Sequence, residues 1–448
     1  MAPREESNVW VDTSKTAVRI ASPYGTDARL TSVAKVPGAL YWLALGTFAI
    51  GTEGFMIAAL LVPIATDLRV SVAQAGILVS IFAIAYATSS PVLTVFTGRV
   101  DRRRLLISSM ALFAMLNVVA AMAHSFVALA ASRVLLAFAA GLYTPNANAL
   151  AGALVPAEYR GRALAVVNGG LTAAIALGVP IGAFVGDRFG WRMTFVAVGA
   201  LSAIASTGLV RGLQRAVGAA LVSASLRDRA RVVRNPCVAR ALALTTVWAS
   251  GSYAVYTYVA PILYSTTLLQ GPAIGLALFT WGLAAGAGLF VSGNATDRFG
   301  TEIVRRVSLA GLILGLGGLA VIANVVTPER ALVPMLAVMV LWGMSGWAFF
   351  PAQQARLIEI AGVPSASVAL SLNASFMYFG FSLGAALGSF SLVHMNPRHL
   401  GFVGAACELV ALTLLLVSQA IDKRSQPDRT NPGLELGTGV RIPPCFGG

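Results

Sequence analysis

ALALTTVWASGSYAVYTYVAPILYSTTLLQGPAIGLALFTWGLAAGAGLFVSGNAT, residues Ala241–Thr296, runs for 56 residues without one Asp, Glu, Lys or Arg. A membrane-crossing helix needs about 20 mostly apolar residues, so the stretch is long enough for two. Gln270-Gly271-Pro272 is the break between them, because Gly-Pro marks a turn. The same charge-free pattern recurs outward in both directions. Val70–Gly98, Leu105–Ser132, Val134–Ala157, Ala163–Gly186 and Met193–Val210 precede it; Val307–Pro328, Ala331–Ala355 and Ile360–Pro397 follow. A first span near Ala39–Ile64 carries one charge, Glu53, and a last near Gly401–Ala420 carries Glu408. The pattern predicts an all-α polytopic membrane protein of twelve transmembrane helices in two six-helix halves, Gly38–Val210 and Ala241–Ala420. A basic loop, Arg211–Arg240, joins them, and tails at Met1–Pro37 and Ile421–Gly448 flank them.

Composition supports this. Of 448 residues 57% are hydrophobic and only 11% charged, against roughly 25% charged in soluble proteins. Mean hydropathy is +0.78. So few charges could not cover about three soluble domains of this total length, which argues against soluble enzymes and nucleic-acid binders. The net charge of +14 carries topology instead. With both tails assigned to the cytoplasm, 26 of the 32 Lys and Arg residues fall on that side and 5 on the other, with Arg133 inside a span. That is the positive-inside bias, and anionic inner-leaflet lipid is the expected partner of the basic side. Met1–Pro37 has no apolar core stretch and so does not read as a signal peptide. No disulfide is expected among Cys237, Cys407 and Cys445, there is no metal-ligand spacing, and no cofactor is expected.

The two halves echo each other. Tyr143-Thr-Pro145-Asn146-Ala-Asn148 in span 4 matches Phe349-Phe-Pro351-Ala-Gln353-Gln354 in span 10, and Asn168 matches Asn373. Gly178 and Gly182 parallel Gly384 and Gly388, and Asp101-Arg102 parallels Asp297-Arg298. Repeated halves are a transporter signature, with substrate bound near mid-membrane between them.

With these motifs the chain resembles the major facilitator superfamily, in its twelve-span drug:proton antiporter branch of bacterial efflux permeases, over roughly Leu40 to Ala420. Gly293-Asn-Ala-Thr-Asp297-Arg298-Phe-Gly300 fits the family's loop motif between spans 8 and 9. Thr97-Gly98-Arg99-Val-Asp101-Arg102-Arg103-Arg104 is its counterpart between spans 2 and 3, with Thr97 and Arg104 where glycines belong. Arg133 lies in the family's span 4 context, with Ala137 in place of the glycine. Gly178-Val-Pro180-Ile-Gly182-Ala-Phe-Val-Gly186 resembles the antiporter motif, and Gly51-Thr52-Glu53-Gly54-Phe55-Met56 looks like the sugar- and drug-efflux subgroup. The resemblance implies an inner-membrane secondary transporter working by alternating access. It also implies that spans 1, 4, 7 and 10 line the pathway.

Glu53 lies 14 residues into span 1, about 21 Å along it at 1.5 Å per residue. A carboxylate at that depth costs at least about 2.5–3.5 kcal/mol unless protonated, paired or hydrated. Either it exchanges a proton during transport or it is a permanently neutral hydrogen-bonding group. Arg133 cannot deprotonate, so it pairs with Glu53, the one other buried charge in its half, or snorkels to the outer interface. Gly178, Gly182 and Gly186 share one helix face beside Pro180, which predicts a tight sliding contact between halves or ordinary packing. Asp101 and Asp297 are expected to face the starts of spans 11 and 5 across the halves, their neighbouring arginines forming inter-half pairs. Expected lining residues are Tyr143, Asn146, Asn148, Trp248, Tyr253, Tyr256, Trp347, Phe349 and Gln353. For Glu408 a hydrogen bond to a neighbouring helix is expected.

The expected function is export of small organic molecules by proton antiport, by a monomer with a small-molecule substrate and protons as its partners. The alternative is an uptake symporter or facilitator on the same fold. A membrane enzyme, a channel or an ATP-driven pump is less expected: the chain has three His, no HExxH and no GxxxxGK[ST], and a channel would not need the arginine-bearing antiporter constellation.

Overall fold

The computed structural model describes residues 38–98, 100–156, 159–213, 225–362 and 365–424. The tail expected at 1–37 and most of that expected from 421 lie outside them. The first half consists of α1 (Ala39–Leu68), α2 (Val72–Phe96), α3 (Arg102–Ala121), α4 (Phe126–Ala153), α5 (Arg160–Ala173), α6 (Val179–Phe189) and α7 (Trp191–Gly212). A short helix, α8 (Leu226–Arg234), follows in the joining segment. The second half consists of α9 (Pro236–Tyr256), α10 (Val259–Thr267), α11 (Pro272–Phe299), α12 (Thr301–Val325), α13 (Pro328–Ala361), α14 (Ala366–His394) and α15 (Leu400–Arg424). Among the described residues eleven helices are long and apolar enough to cross a membrane, counting α5 and α6 as one. The broken pair α9–α10 makes the twelfth crossing. Side chains such as Phe290, Val127 and Val333 point outward with about three-quarters of their surface exposed, as a lipid-facing surface requires.

Two crossings are interrupted, each beside a proline. Pro180 has no N–H for the carbonyl of Ala176, and the chain answers with a π-helical turn over Ala174–Gly178. Pro261 likewise withdraws a donor from Thr257, and the helix breaks between Tyr256 and Val259. The charge-free run predicts an unbroken span 7, and the structure differs there. The turn at Gln270-Gly271-Pro272 forms as expected, with Gly271 at φ +52°. Local caps set several of the other starts. Ser71 and Gln74 form a capping box on α2, Asp101 caps α3 and Ser125 caps α4. Ser225 and Asp228 box α8, which the sequence analysis leaves as part of a loop, and Asn235 caps α9 ahead of Pro236.

Consecutive crossings alternate in direction, so the starts of α3, α5, α9, α12 and α14 share one end, here the basic end. The halves meet along two seams, α2 against α14, and α5–α6 with its π turn against α11. Away from the basic end the seams are sealed by polar bonds. Ser80 Oγ donates to Ser382 O at 3.2 Å and Ser382 Oγ to Ser80 O at 3.0 Å. Ser389 Oγ donates to Ala73 O at 2.9 Å, and the Tyr258 ring fills the space over Gly76.

The glycine faces take the second of the two readings, ordinary packing. A Cβ on Gly182 would stand 3.1 Å from Met56 Cβ; Gly178 lies against Thr52 and Gly186 against Leu60, all on α1. Gly380, Gly384 and Gly388 pack in the same manner on α9 and the adjoining Tyr258. Both faces therefore close helix pairs within a half, not between halves. Periodicity shows that a face is small but not which neighbour takes it. Glycines that face the other half include Gly76 of α2 and two on α11. Gly282 faces the Ile175 carbonyl, 2.6 Å from where its Cβ would be, and Gly275 faces Ala183 at 3.4 Å.

Cys237 is disulfide-bonded, against the expectation of none; Cys407 is free and Cys445 lies outside the described residues.

Candidate functional site

Glu53 of α1 and Arg133 of α4 are both fully buried and form an ion pair, Nη1 to Oε1. Snorkelling of Arg133 to an interface is thereby set aside. The guanidinium makes two longer contacts, to the Glu53 and Leu78 carbonyls at 3.4 Å each, and lies 4.4 Å from the Phe82 ring centroid. A buried pair is tolerable only when each charge compensates the other and further polar or aromatic contacts help. Glu53 Oε2 and Arg133 Nη2 have no hydrogen-bond partner among the described residues. One acid oxygen and one donor are thus unspent.

Two residues beyond Glu53, Phe55 is the centre of an aromatic cluster that joins the halves. Its centroid is 5.9 Å from Tyr256, 6.1 Å from Tyr253 and Trp347, and 6.4 Å from Phe381. Tyr253 stacks on Phe381 at 3.6 Å, and Tyr86 of α2 stacks on Tyr378 of α14 at 3.8 Å. The Tyr256 hydroxyl donates to the Phe55 carbonyl at 3.2 Å. The C-terminal end of α9 supplies Tyr253 and Tyr256, the middle of α13 supplies Trp347, and α14 supplies Tyr378 and Phe381.

Towards the basic end the halves separate around a cavity of about 430 Å³. Thr94, Asn146 and Asn148 line it from one half, Ser367 and Ser371 from the other. Arg102, Arg160 and Arg229 add three positive charges.

The expected lining residues divide. Tyr253, Tyr256 and Trp347 surround Phe55, and Asn146 and Asn148 line the cavity. Tyr143 packs over Gly46 and donates to the Leu43 carbonyl at 3.1 Å. Phe349 stacks on Trp248 at 5.0 Å within one half. Gln353 accepts from Arg305 at 3.0 Å and donates to Ala241 O at 2.7 Å. These last side chains are spent on structure. Sequence reasoning missed Phe55, Phe381, Tyr86, Tyr378, Arg160 and Arg229 as contributors. Phe55 was within the quoted motif; Tyr378 and Phe381 lie three apart on α14, a spacing that offered a weak signal.

The loop residues also stay at home. Asp101 Oδ1 accepts from Arg104 N at 2.8 Å, and Arg102 donates to Asn146 Oδ1 within its own half. Asp297 and Arg298 are exposed, and Arg298 lies 5.3 Å from the Phe299 ring. Among the described residues neither Asp101 nor Asp297 is in an ion pair. Gly300, at φ +81°, turns the chain into α12, and Gly293 faces open space. Glu408 accepts from Ser252 Oγ of α9 at 3.1 Å, the helix-to-helix bond expected of it.

Two helical halves sealed at one end, with a buried charge pair inside the first half, an aromatic shell between the halves and a cavity at the other end, have the build of a membrane transporter. The family model of the Major Facilitator Superfamily matches residues 43–385, and the chain belongs to that family. It is 30% identical to the MFS-type transporter YbcL of Bacillus subtilis (strain 168), covering 87% of this chain and 98% of the relative. It is 33% identical to a chloramphenicol resistance protein of Streptomyces lividans, over 85% of this chain and 95% of that one. Among solved structures, a bacterial homolog of the human lysosomal transporter Spinster, inward-facing and occupied, superposes with a TM-score of 0.68 at 17% identity. It covers 87% of this chain and 98% of its own. The nucleoside transporter NupG gives 0.66 at 14% identity, covering 85% and 99%.

Proposed function

We propose that this transporter exports small organic molecules by proton antiport, with Glu53 as the proton-carrying group and Arg133 as its coupling partner. The observation that carries the reading is the buried Glu53–Arg133 pair beside an aromatic shell drawn from both halves. Glu53 Oε2, which has no hydrogen-bond partner among the described residues, is the atom that takes the proton. Protonation neutralises the carboxylate and frees the guanidinium to seek another acceptor, which gives the two charge states different preferences for the two ends. The basic end is the cytoplasmic one by the positive-inside rule, in a bacterial inner membrane with both termini inside. The cavity then faces the cytoplasm, the side from which an exporter loads. The two halves rock as units about the seams of α2 with α14 and α5–α6 with α11. In the outward-facing state, Asp101 and Asp297 leave their present positions to face the opposite half. The transporter works as a monomer with anionic inner-leaflet lipid around its basic side.

The name of the Streptomyces lividans relative makes chloramphenicol one compound of the first test panel. The panel spans neutral, cationic and anionic amphiphiles. In inverted membrane vesicles with an acid lumen, a transported compound is expected to release luminal protons, read as recovery of a pH-sensitive dye. Uptake of substrate with protons moving in the same direction would establish the symport alternative and overturn the proposal.

A further inference from the structure

The cavity at the basic end carries three guanidinium groups, from Arg102 of α3, Arg160 of α5 and Arg229 of α8. Among the described residues lining it there is no Asp or Glu. The acid next to Arg229 is engaged elsewhere. Asp228 Oδ2 accepts from Ser225 N and Oγ at 3.0 and 2.7 Å, bonds that hold its carboxyl below the ordinary range.

Arg229 is built into the wall. It is 7% exposed, its Nη1 donates to Ser371 Oγ at 2.9 Å, and its Nε is buried with no hydrogen-bond partner among the described residues. A guanidinium keeps its proton and presents a planar fork that matches carboxylate or phosphate oxygens. Ser367 and Ser371 lie in the first two turns of α14, whose N-terminus adds partial positive charge on the same side of the cavity. A volume of about 430 Å³ suits a small organic molecule.

We propose that this cavity binds the carboxylate or phosphate group of an organic anion, making acid-bearing amphiphiles the substrate class, with Arg229 as the specificity-determining residue. The inference rests on the export reading for the direction of travel. Binding needs no proton gradient, so the two readings fail separately.

The test uses the full chain in phosphatidylcholine nanodiscs, with salicylate and phenyl phosphate as anionic probes, and salicylamide and benzylamine as neutral and cationic controls. Binding is followed by tryptophan fluorescence. The anions are expected to bind at least about tenfold more tightly than the controls. Arg229→Gln is expected to remove that preference, and Arg229→Lys to restore part of it. Should Arg229→Gln melt early, Ser371→Ala, which unties the same guanidinium, is expected to weaken the anions alone. Equal binding of salicylate and salicylamide, or undiminished anion preference in the folded variants, overturns the proposal. Repeating the titration in discs rich in phosphatidylglycerol separates solute from lipid. Unchanged salicylate affinity supports a solute site, while its loss assigns the site to a lipid headgroup and overturns the substrate class.

Discussion

Glu53 and Arg133 have no exposed surface, and each is the other's ion-pair partner. Breaking such a pair strands a charge and costs about 3–5 kcal/mol, whereas replacing both members by apolar groups can cost far less. Glu53→Leu and Arg133→Leu are therefore each expected to lower the thermal stability of the purified protein more than the double variant does. Additive losses would show that the pair is not coupled. Arg133→Lys keeps the charge but loses the fork that reaches Glu53 and the Leu78 carbonyl together. Transport is expected to fall at least about tenfold, given the 1.5–3 kcal/mol of a charged hydrogen bond, with the fold retained by circular dichroism. Glu408 differs: it is also fully buried but is bonded to Ser252 of the neighbouring α9, at the contact of α15 with α9 away from the seams. At this scale the sequence showed the charges set deep within the spans, Glu53, Arg133 and Glu408, because lipid leaves so few places for them; it did not show that Arg102, Arg229, Arg305 and Arg356 are also buried. It did not show that Tyr143 and Gln353 would turn their polar atoms into their own half, since helix periodicity gives a face and not a partner.

The elements were legible wherever the cause is local. Charge-free runs gave the spans, and Gly271-Pro272 gave a turn that the structure places within a residue or two. The break in span 7 falls at Pro261, but Pro63, Pro91, Pro145, Pro334 and Pro351 lie inside unbroken helices, so one missing donor does not by itself announce a break. Glycine spacing left the packing partner open. Gly178, Gly182 and Gly186 face α1 within the half, while Gly275 and Gly282 of α11 face the other half. Two substitutions separate these roles. Gly182→Leu is expected to overpack against Met56 and Thr194 and to destabilise by about 1–3 kcal/mol, read as an earlier melting transition. Gly282→Leu intrudes on the Ile175 carbonyl at the seam, and is expected to abolish transport with a smaller change in melting than Gly182→Leu. The opposite ranking would place the moving contact on the α1 side.

For the whole molecule, the twelve-crossing plan was readable from the alternation of apolar runs and basic loops, because a bilayer imposes both. The state of the molecule was not, since open and closed arrangements use the same sequence. The reciprocal Ser80–Ser382 bonds seal one end, and the cavity of about 430 Å³ marks the other. Ser80→Cys with Ser382→Cys is expected to cross-link under mild oxidation without added substrate. Cross-linking should stop transport, and reduction should restore it; a cross-linked protein that still transports would contradict opening at this seam. Proton coupling is tested most directly by Glu53→Gln in proteoliposomes, comparing gradient-free exchange of a transported compound with accumulation driven by an imposed pH gradient. The expected result is that exchange persists within a few-fold of wild type while gradient-driven accumulation is lost. Gradient-driven accumulation at the wild-type level in Glu53→Gln would contradict the assignment of the proton to this carboxylate.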